Sequence, residues 1–391
     1  MSKWKTVKLG DIGNFQSGGT PSRKNPEYFN GSIPWITTVS LNGAYLDNGS
    51  AIEFLTEDGI SSSATKIVPA KSIMIGTRVG IGKVAINTVP MCTNQDIISI
   101  VGIDEKIWSK KYIVKQLTSF DLFFKSQARG ATIQGIKLET LKNVLISLPP
   151  LEEQKRIADI LDKASNLIDL RKQQLEKMDL LIKSKFIDMF GDPVINPKGW
   201  DMKRISDVCI INPRKTELGS ITDDLEVSFI PMASVSEKGD IRTNEIKKYS
   251  EVKSGFTYFY EGDVLFAKIT PCMENGKGAI AKNLKNLIGF GSTEFHVIRP
   301  IENITNSEWV FNLLGFKWLR EDAEKNMTGS AGQRRVPASY FEKCKASVPP
   351  IELQNQFAVF IEQVEKQKAV MQQSLEKMET NYKALMQEYF G

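Results

Sequence analysis

A chain of 391 residues, 41% hydrophobic and 25% charged, has the composition of a folded protein with two or three domains. No apolar run approaches the ~20 residues that span a bilayer, and Met1-Ser2-Lys3-Trp4-Lys5 lacks a signal peptide's apolar stretch, so a cytoplasmic protein is expected. The net charge of +5 is unevenly spread: residues 1–150 carry 17 Lys+Arg against 11 Asp+Glu, 151–191 eight of each, 192–350 22 against 21, and 351–391 four against six. The positive excess thus falls outside the two stretches that read below as long helices, as nucleic-acid-binding modules require.

Residues 1–147 read as one α+β module. It opens with a basic strand, Trp4-Lys5-Thr6-Val7-Lys8-Leu9. An Ile33-Pro34 turn leads into a short strand, and the apolar run Ser72–Gly76 enters a Gly-rich turn, Gly76-Thr77-Arg78-Val79-Gly80-Ile81-Gly82-Lys83. A phosphate-cradling loop needs Ser or Thr after its Gly-Lys, and Val84 follows Lys83, so nucleotide binding is excluded for this turn. Two readings stay open. The glycines suit a hairpin requiring positive φ, and the tip can equally set Arg78 and Lys83 against DNA phosphates. A paired strand over Asp96–Val101 and an aromatic-rich helix over Trp108–Phe124 follow. The segment Arg129-Gly130-Ala131-Thr132-Ile133-Gln134-Gly135-Ile136-Lys137 then places Gln134 and Lys137 among small residues, a composition suited to a groove-entering loop.

Residues 148–191 predict a helix. Pro149-Pro150 precedes an acidic first turn, neither Gly nor Pro recurs before Gly191, and Pro193 stops it. A helix over 152–190 is roughly 58 Å long at ~1.5 Å per residue. Its apolar positions keep a heptad with rows Leu161, Ile168, Leu175, Ile182, Met189 and Ile157, Ala164, Arg171, Met178, Lys185.

Residues 192–347 repeat the module in order but not in identity. Trp200-Asp201-Met202-Lys203-Arg204-Ile205 opens it, Ile230-Pro231 turns into a short strand over Met232-Ala233, and Asp263–Ala267 leads through Lys268 to Asn275-Gly276-Lys277-Gly278. A strand over Thr293–Ile298 and an aromatic helix around Trp309–Trp318 follow. The closing segment, Gly329-Ser330-Ala331-Gly332-Gln333-Arg334-Arg335-Val336, offers Gln333 for adenine and Arg334 or Arg335 for guanine, although two adjacent arginines are also an ordinary solvated pair.

Residues 348–391 return to the helix. Val348-Pro349-Pro350-Ile351-Glu352 answers Leu148-Pro149-Pro150-Leu151-Glu152 at an offset of 200, Leu-Glu-Lys-Met at 175–178 recurs at 375–378, and Phe190-Gly191 recurs as Phe390-Gly391. The seam shifts with it to Ile361, Lys368, Leu375, Tyr382, Tyr389 and Phe357, Val364, Met371, Met378, Leu385. Such seams pair with each other inside the chain or with another molecule; the intramolecular antiparallel pair is the economical choice, and it puts the modules at opposite ends of a rod.

No catalytic set emerges. His296 is the only histidine, which removes His-centred triads and His-rich metal sites, and it reads as structural. Cys92, Cys209, Cys272 and Cys344 have neither zinc nor disulfide spacing and read as neutral thiols. Asn212-Pro213-Arg214-Lys215 lacks the second proline and aromatic of an adenine-methylating loop, and no acidic cluster marks a nuclease.

The motif Leu148-Pro149-Pro150-Leu151-Glu152-Glu153-Gln154-Lys155-Arg156-Ile157, its second copy, Ser17-Gly18-Gly19-Thr20-Pro21-Ser22 and Ile33-Pro34-Trp35 resemble the specificity subunit of type I restriction–modification systems over the whole chain. Module 2 departs from the pattern with Ile211-Asn212-Pro213-Arg214 in place of the Ser-Gly-Gly-Thr-Pro-Ser turn, and with Leu353 where the first helix has Glu153. The resemblance implies two target-recognition domains, each reading half of a bipartite DNA site. It also implies helices that set the gap and dock two modification (methyltransferase) subunits, with restriction subunits joining and S-adenosylmethionine held on the partner, not on this chain. Candidate DNA contacts are then Ser17, Gly18, Thr20, Arg23, Lys24, Arg78, Lys83, Gln134 and Lys137 in module 1. In module 2 they are Arg214, Lys215, Lys268, Lys277, Gln333, Arg334 and Arg335. Readings from other classes are a self-contained nuclease or methyltransferase, which would modify DNA alone, and a coiled-coil scaffold, which would not retain specific duplexes.

Overall fold

Each module is closed by its own ends. Thr6–Lys8 pairs antiparallel with Leu145–Ser147, and Asp201–Arg204 pairs antiparallel with Lys345–Val348, so the ribbon made by first and last strands feeds directly into a Pro-Pro helix start. The computed structural model describes residues 4–41, 45–127, 135–330 and 332–391. The chain divides into two units, Met1–Lys172 with Gln373–Gly391, and Gln173–Gln372, and each long helix gives one half to each unit.

In the first unit one sheet runs Asn14–Ser17, Ile97–Val101, Ile73–Gly76, Val84–Asn87, Tyr45–Leu46, and a second runs Glu53–Leu55, Ile33–Ile36, Cys92–Thr93. The strand Ile73–Gly76 shows why it is apolar throughout. Successive side chains point to opposite faces; Ile73 and Ile75 pack with Ile98, Ile100, Ile113 and Leu117, while Met74 packs with Ile36, Leu46 and Ala85 on the other side. Both faces are buried, so neither has a polar residue.

The second unit keeps the two-sheet plan but with four strands in each sheet in place of five and three. Cys209–Ile211, Phe295–Pro300, Val264–Ala267 and Gly278–Ile280 form one sheet, and Ile246–Lys248, Glu226–Ile230, Ile288–Gly291 and Thr257–Tyr260 form the other. Val264 and Phe266 face one core and Leu265 and Ala267 the other, as in module 1. Two expectations shift. Ile33–Ile36 is itself a strand, but Ile230-Pro231 ends the strand Glu226–Ile230, and Met232–Ser234 is a single 3-10 turn, because proline has no N–H to continue the ladder. Each aromatic-rich stretch is also two helices: Lys110–Ser119 and Asp121–Gln127 in module 1, Ser307–Leu314 and Lys317–Lys325 in module 2.

The long helices are Leu151–Phe190 and Ile351–Phe390, each of 40 residues. In the first unit Ile157, Ala158 and Leu161 pack with Tyr382, Leu385, Met386, Tyr389 and Phe390, and Lys172 meets Glu379 at 2.9 Å. In the second, Ile182, Phe186, Met189 and Phe190 pack with Phe357 and Ile361, and Lys368 meets Asp179 at 2.8 Å. Start meets end in both units, so the helices form an antiparallel coiled coil within the chain. The seam residues Ile157, Leu161, Ile168, Phe357, Ile361, Val364 and Leu375 are buried; Leu175, Met178, Ile182, Met189, Met371, Met378, Tyr382 and Leu385 are half-buried. Lys368 is tolerated in the seam because, although burial disfavours its charge, Asp179 and Glu365 outweigh that and hold its pKa above the usual lysine value.

Candidate nucleic-acid interface

Equivalent strand ends in the two modules gather the polar candidates. In module 1 the chain leaves Ile73–Gly76 at Thr77 and enters Ile97–Val101 after Asp96; the Thr77 N–H donates to the Asp96 carbonyl (2.8 Å) and the Ile136 N–H to the Thr77 carbonyl (2.8 Å). These bonds bring the Gly-rich turn, the strand start and the segment before the long helix to one place. Arg78 lies 3.6 Å from Asp96 with half its side chain exposed. On the same strand start, Gln95 is exposed and accepts a hydrogen bond from Thr20 (2.6 Å), which brings the Ser17–Ser22 turn alongside.

Module 2 builds the same junction with different residues. The Lys268 N–H donates to the Glu294 carbonyl (2.9 Å), the Val336 N–H to the Lys268 carbonyl (2.9 Å) and the Thr270 N–H to the Arg334 carbonyl (3.0 Å). Arg335 grips Glu294 through Nε and Nη2 (each 2.8 Å) and reaches the Gln333 carbonyl through Nη1 (3.0 Å). Three of the five guanidinium donors are thereby engaged, leaving two for a ligand. Arg334 sits between Glu274 and Glu324 at 3.6 and 3.3 Å. Lys268 is half-buried; burial depresses its pKa, Glu294 opposes that and Arg335 adds to it. Among the described residues no group of acidic, histidine or cysteine side chains could hold a metal ion.

The remaining candidates divide by environment. Lys83 and Lys137 are exposed, as are Ser17, Lys24, Arg214 and Gln333. Gly80 and Gly82 adopt positive φ (67° and 81°), so the Gly-rich turn needs glycine for its backbone whatever its tip contacts. Other positions are committed to the protein itself. Gly18 is buried where a Cβ would lie 2.2 Å from the Asn94 carbonyl. Arg23 is bidentate to Glu53 (2.6 and 2.7 Å) and stacks over Phe29 at 4.2 Å. Lys215 donates to the Lys253 carbonyl, and Lys277 is half-buried with Nζ 3.4 Å from the Met232 carbonyl. Gln134 lies outside the described residues. Gln95, Asp96 and Glu294 join the candidates only in the structure, since strand pairing across tens of residues brings them in.

A model of the type I restriction modification DNA specificity domain matches the chain twice, over residues 1–179 and 197–380. The chain belongs to this family. The specificity subunit of the type I restriction enzyme EcoAI from Escherichia coli is 40% identical over 198 residues, 49% of this chain and 33% of the relative. That of MjaIX from Methanocaldococcus jannaschii is 34% identical over 242 residues, 58% of this chain and 55% of the relative. The matched stretches thus span a third to about half of these relatives' lengths. A chain from a structural study of complex assembly and conformational transition of the type I R-M system shares the fold, with a TM-score of 0.60 at 17% identity over 99% of this chain and 97% of that one. No helix among the described residues is long and apolar enough to cross a membrane.

In this specificity-domain protein His296 props the module 2 junction from behind. Its Nε2–H donates to the Val336 carbonyl (2.7 Å), and Asn212 Nδ2 donates to Nδ1 (3.1 Å) while Asn212 Oδ1 accepts the Val297 N–H (3.0 Å). Burial holds its pKa below the usual histidine value, which favours the neutral ring that this hydrogen-bond assignment uses. The unfolded chain takes up a proton first, so the associated stability is fully present above pH ~6.5 and is lost as pH falls through the lower folded value. We expect the unfolding free energy of the full chain, from denaturant titrations, to fall between about pH 7 and pH 5 by ~1.4 kcal/mol per unit of depression, with the His296 part of that slope absent in His296→Gln. Cys92 and Cys209 are likewise buried; loss of hydration pushes their thiols up to about 11 and about 12, which leaves them neutral and unreactive.

Proposed function

We propose that this chain is the DNA-specificity subunit of a type I restriction–modification complex and carries no active site of its own. Each module reads one half of an asymmetric, bipartite duplex site. The paired helices set the gap and dock two adenine-methylating modification subunits that hold S-adenosylmethionine, and restriction subunits complete the assembly. One observation carries this reading: two modules that share a four-strand order in one sheet (Asn14–Ser17, Ile97–Val101, Ile73–Gly76, Val84–Asn87 against Cys209–Ile211, Phe295–Pro300, Val264–Ala267, Gly278–Ile280) and the same junction present unlike side chains there, Thr20, Arg78 and Gln95 against Lys268, Arg334 and Arg335. Matched frames with unlike readers suit a two-part target whose halves differ. Exposed Leu167, Leu170, Leu180, Leu181, Val359 and Val370 on the long helices supply apolar surface of the kind partner subunits cover.

The division of labour is testable at the level of salt. Lys83 and Lys137 are exposed cations outside the ion pairs of the described residues, suited to phosphate contacts that carry no sequence information. With the modification subunits bound, Lys83→Ala and Lys137→Ala should each weaken binding to cognate and unrelated duplexes alike. Each should lower the slope of log K against log salt by about 0.9. Loss of preference for the cognate duplex with an unchanged slope would assign these lysines to base reading instead. Equal retention of all duplexes by the unaltered complex would leave a coiled-coil scaffold as the better reading.

A further inference from the structure

The helix starts contain a repeated buried polar residue that neither the heptad nor the DNA candidates explain. Gln154 and Gln354 are both 0% exposed. Gln154 accepts the Ser109 N–H at Oε1 (2.9 Å) and donates through Nε2 to the carbonyls of Ile107 and Pro149 (each 2.9 Å). Gln354 accepts the Asn306 N–H (3.1 Å) and donates to the carbonyls of Ile304 (3.0 Å) and Pro349 (2.8 Å). The correspondence is complete: Ser109 and Asn306 are the N-caps of equivalent module helices, Lys110–Ser119 and Ser307–Leu314. One amide thus ties three points together in each unit: the closing strand's exit, the long helix's first turn and the start of the module's own helix.

Why an amide belongs there follows from the neighbouring residues. Pro149-Pro150 and Pro349-Pro350 have no N–H, so these two positions donate no backbone hydrogen bond across the junction, and the Pro149 and Pro349 carbonyls are bound by the glutamine amide. Around the amide the buried contacts are apolar: Tyr112 packs on Ile157 and Leu161 in one unit, and Trp309 shares a core with Phe357 in the other. The other polar links are less buried and differ between the units, Lys111 and Lys115 to Asp162 (3.3 and 2.8 Å) in the first and Asn306 to Asn355 (3.0 Å) in the second, so among the described residues the glutamine is the one they share. Apolar contact holds surfaces together without fixing their angle, whereas three directed hydrogen bonds fix it. We propose that Gln154 and Gln354 are positioning residues that fix the angle of each recognition module on its long helix, and that they thereby make the complex accept a single gap length between half-sites. The inference rests on the proposed function above, and its failure can be told apart from failure of that reading.

The test uses the full chain assembled with its modification subunits and methylating a library of duplexes that carry both half-sites separated by graded gaps. Gln154→Met and Gln354→Met keep volume and apolar packing but remove the three hydrogen bonds. Each should leave both half-sites unchanged while raising methylation at gaps one base pair off, relative to the cognate gap, by about tenfold or more. Amide exchange should quicken at Ser109 only in the first variant and at Asn306 only in the second. A merely structural role would lower methylation at every gap in proportion, and an unchanged gap preference in both variants would overturn the proposal. Should Gln154→Met fail to assemble, Gln154→Asn, whose amide is one methylene short, carries the same measurement. If the unaltered complex yields no split motif, the proposed function falls; a split motif with strict gaps in every variant defeats this inference alone.

Discussion

Replacing Phe357 by alanine is expected to destabilise the second unit by about 3–5 kcal/mol, read as a lower denaturant midpoint of the full chain. Phe357 is 0% exposed and meets Phe190 and Phe186 edge-on, with ring centroids 5.2 and 5.5 Å apart; Phe186 in turn lies 4.8 Å from Phe190 and 5.0 Å from Phe316. A phenyl group removed from this cluster takes with it the burial of one ring and the packing of two others, and those two rings, held by each other and by Phe316, cannot collapse into the space. Phe357→Leu, which refills most of the volume, should recover more than half of the loss. A change below ~1 kcal/mol for Phe357→Ala would mean that the two helices do not pack here as described.

Asp263→Ala should cost a similar amount, about 3–5 kcal/mol, for an electrostatic reason. Asp263 is 1% exposed, binds Arg299 through both oxygens (2.6 and 2.7 Å) and accepts the Tyr260 N–H (2.7 Å), so it joins the strands Phe295–Pro300 and Val264–Ala267 to the neighbouring turn. Removing it strands the half-buried Arg299 with Glu217 as its remaining carboxylate partner. Removing the arginine as well should be milder than the sum of the single changes, since much of the cost of the first lies in leaving a half-buried guanidinium with one carboxylate partner fewer. A double-mutant cycle on unfolding free energy measures this, and strict additivity of the two losses would refute it.

Legible in the sequence is whatever repeats with a short period or at a fixed offset. The heptad needs only local spacing, so Ile157, Leu161, Phe357 and Ile361 are readable as seam residues from the sequence alone. Phe186 and Phe190 are not, because they lie beside the seam; Phe186 is covered partly by Phe316 of the module, and Phe190 packs on Phe186 in turn. The junctions are half legible. Glycines and basic residues mark the Gly-rich turn and the segment before each helix, but that the two meet depends on bonds such as Ile136 to Thr77 and Val336 to Lys268, which no local pattern encodes. Arg23 shows what charge alone does not tell: the structure holds its guanidinium against Glu53 and Phe29, partners that lie at no local spacing from it. Gln154 stands inside a motif conspicuous for its repetition, yet its burial is hidden because glutamine in a helix's first turns is ordinarily solvated.

If this chain chooses the DNA sites of an adenine methyltransferase, it does so through two unlike readers held at a set distance. Sequencing modified bases across the genome of cells with and without the chain tests this most directly. The expected result is a split motif, two different short half-sites flanking a fixed unspecific gap, that is methylated when the chain is present and unmethylated when it is deleted. A methylation pattern unchanged by the deletion, or the loss of a continuous motif without a gap, would contradict it.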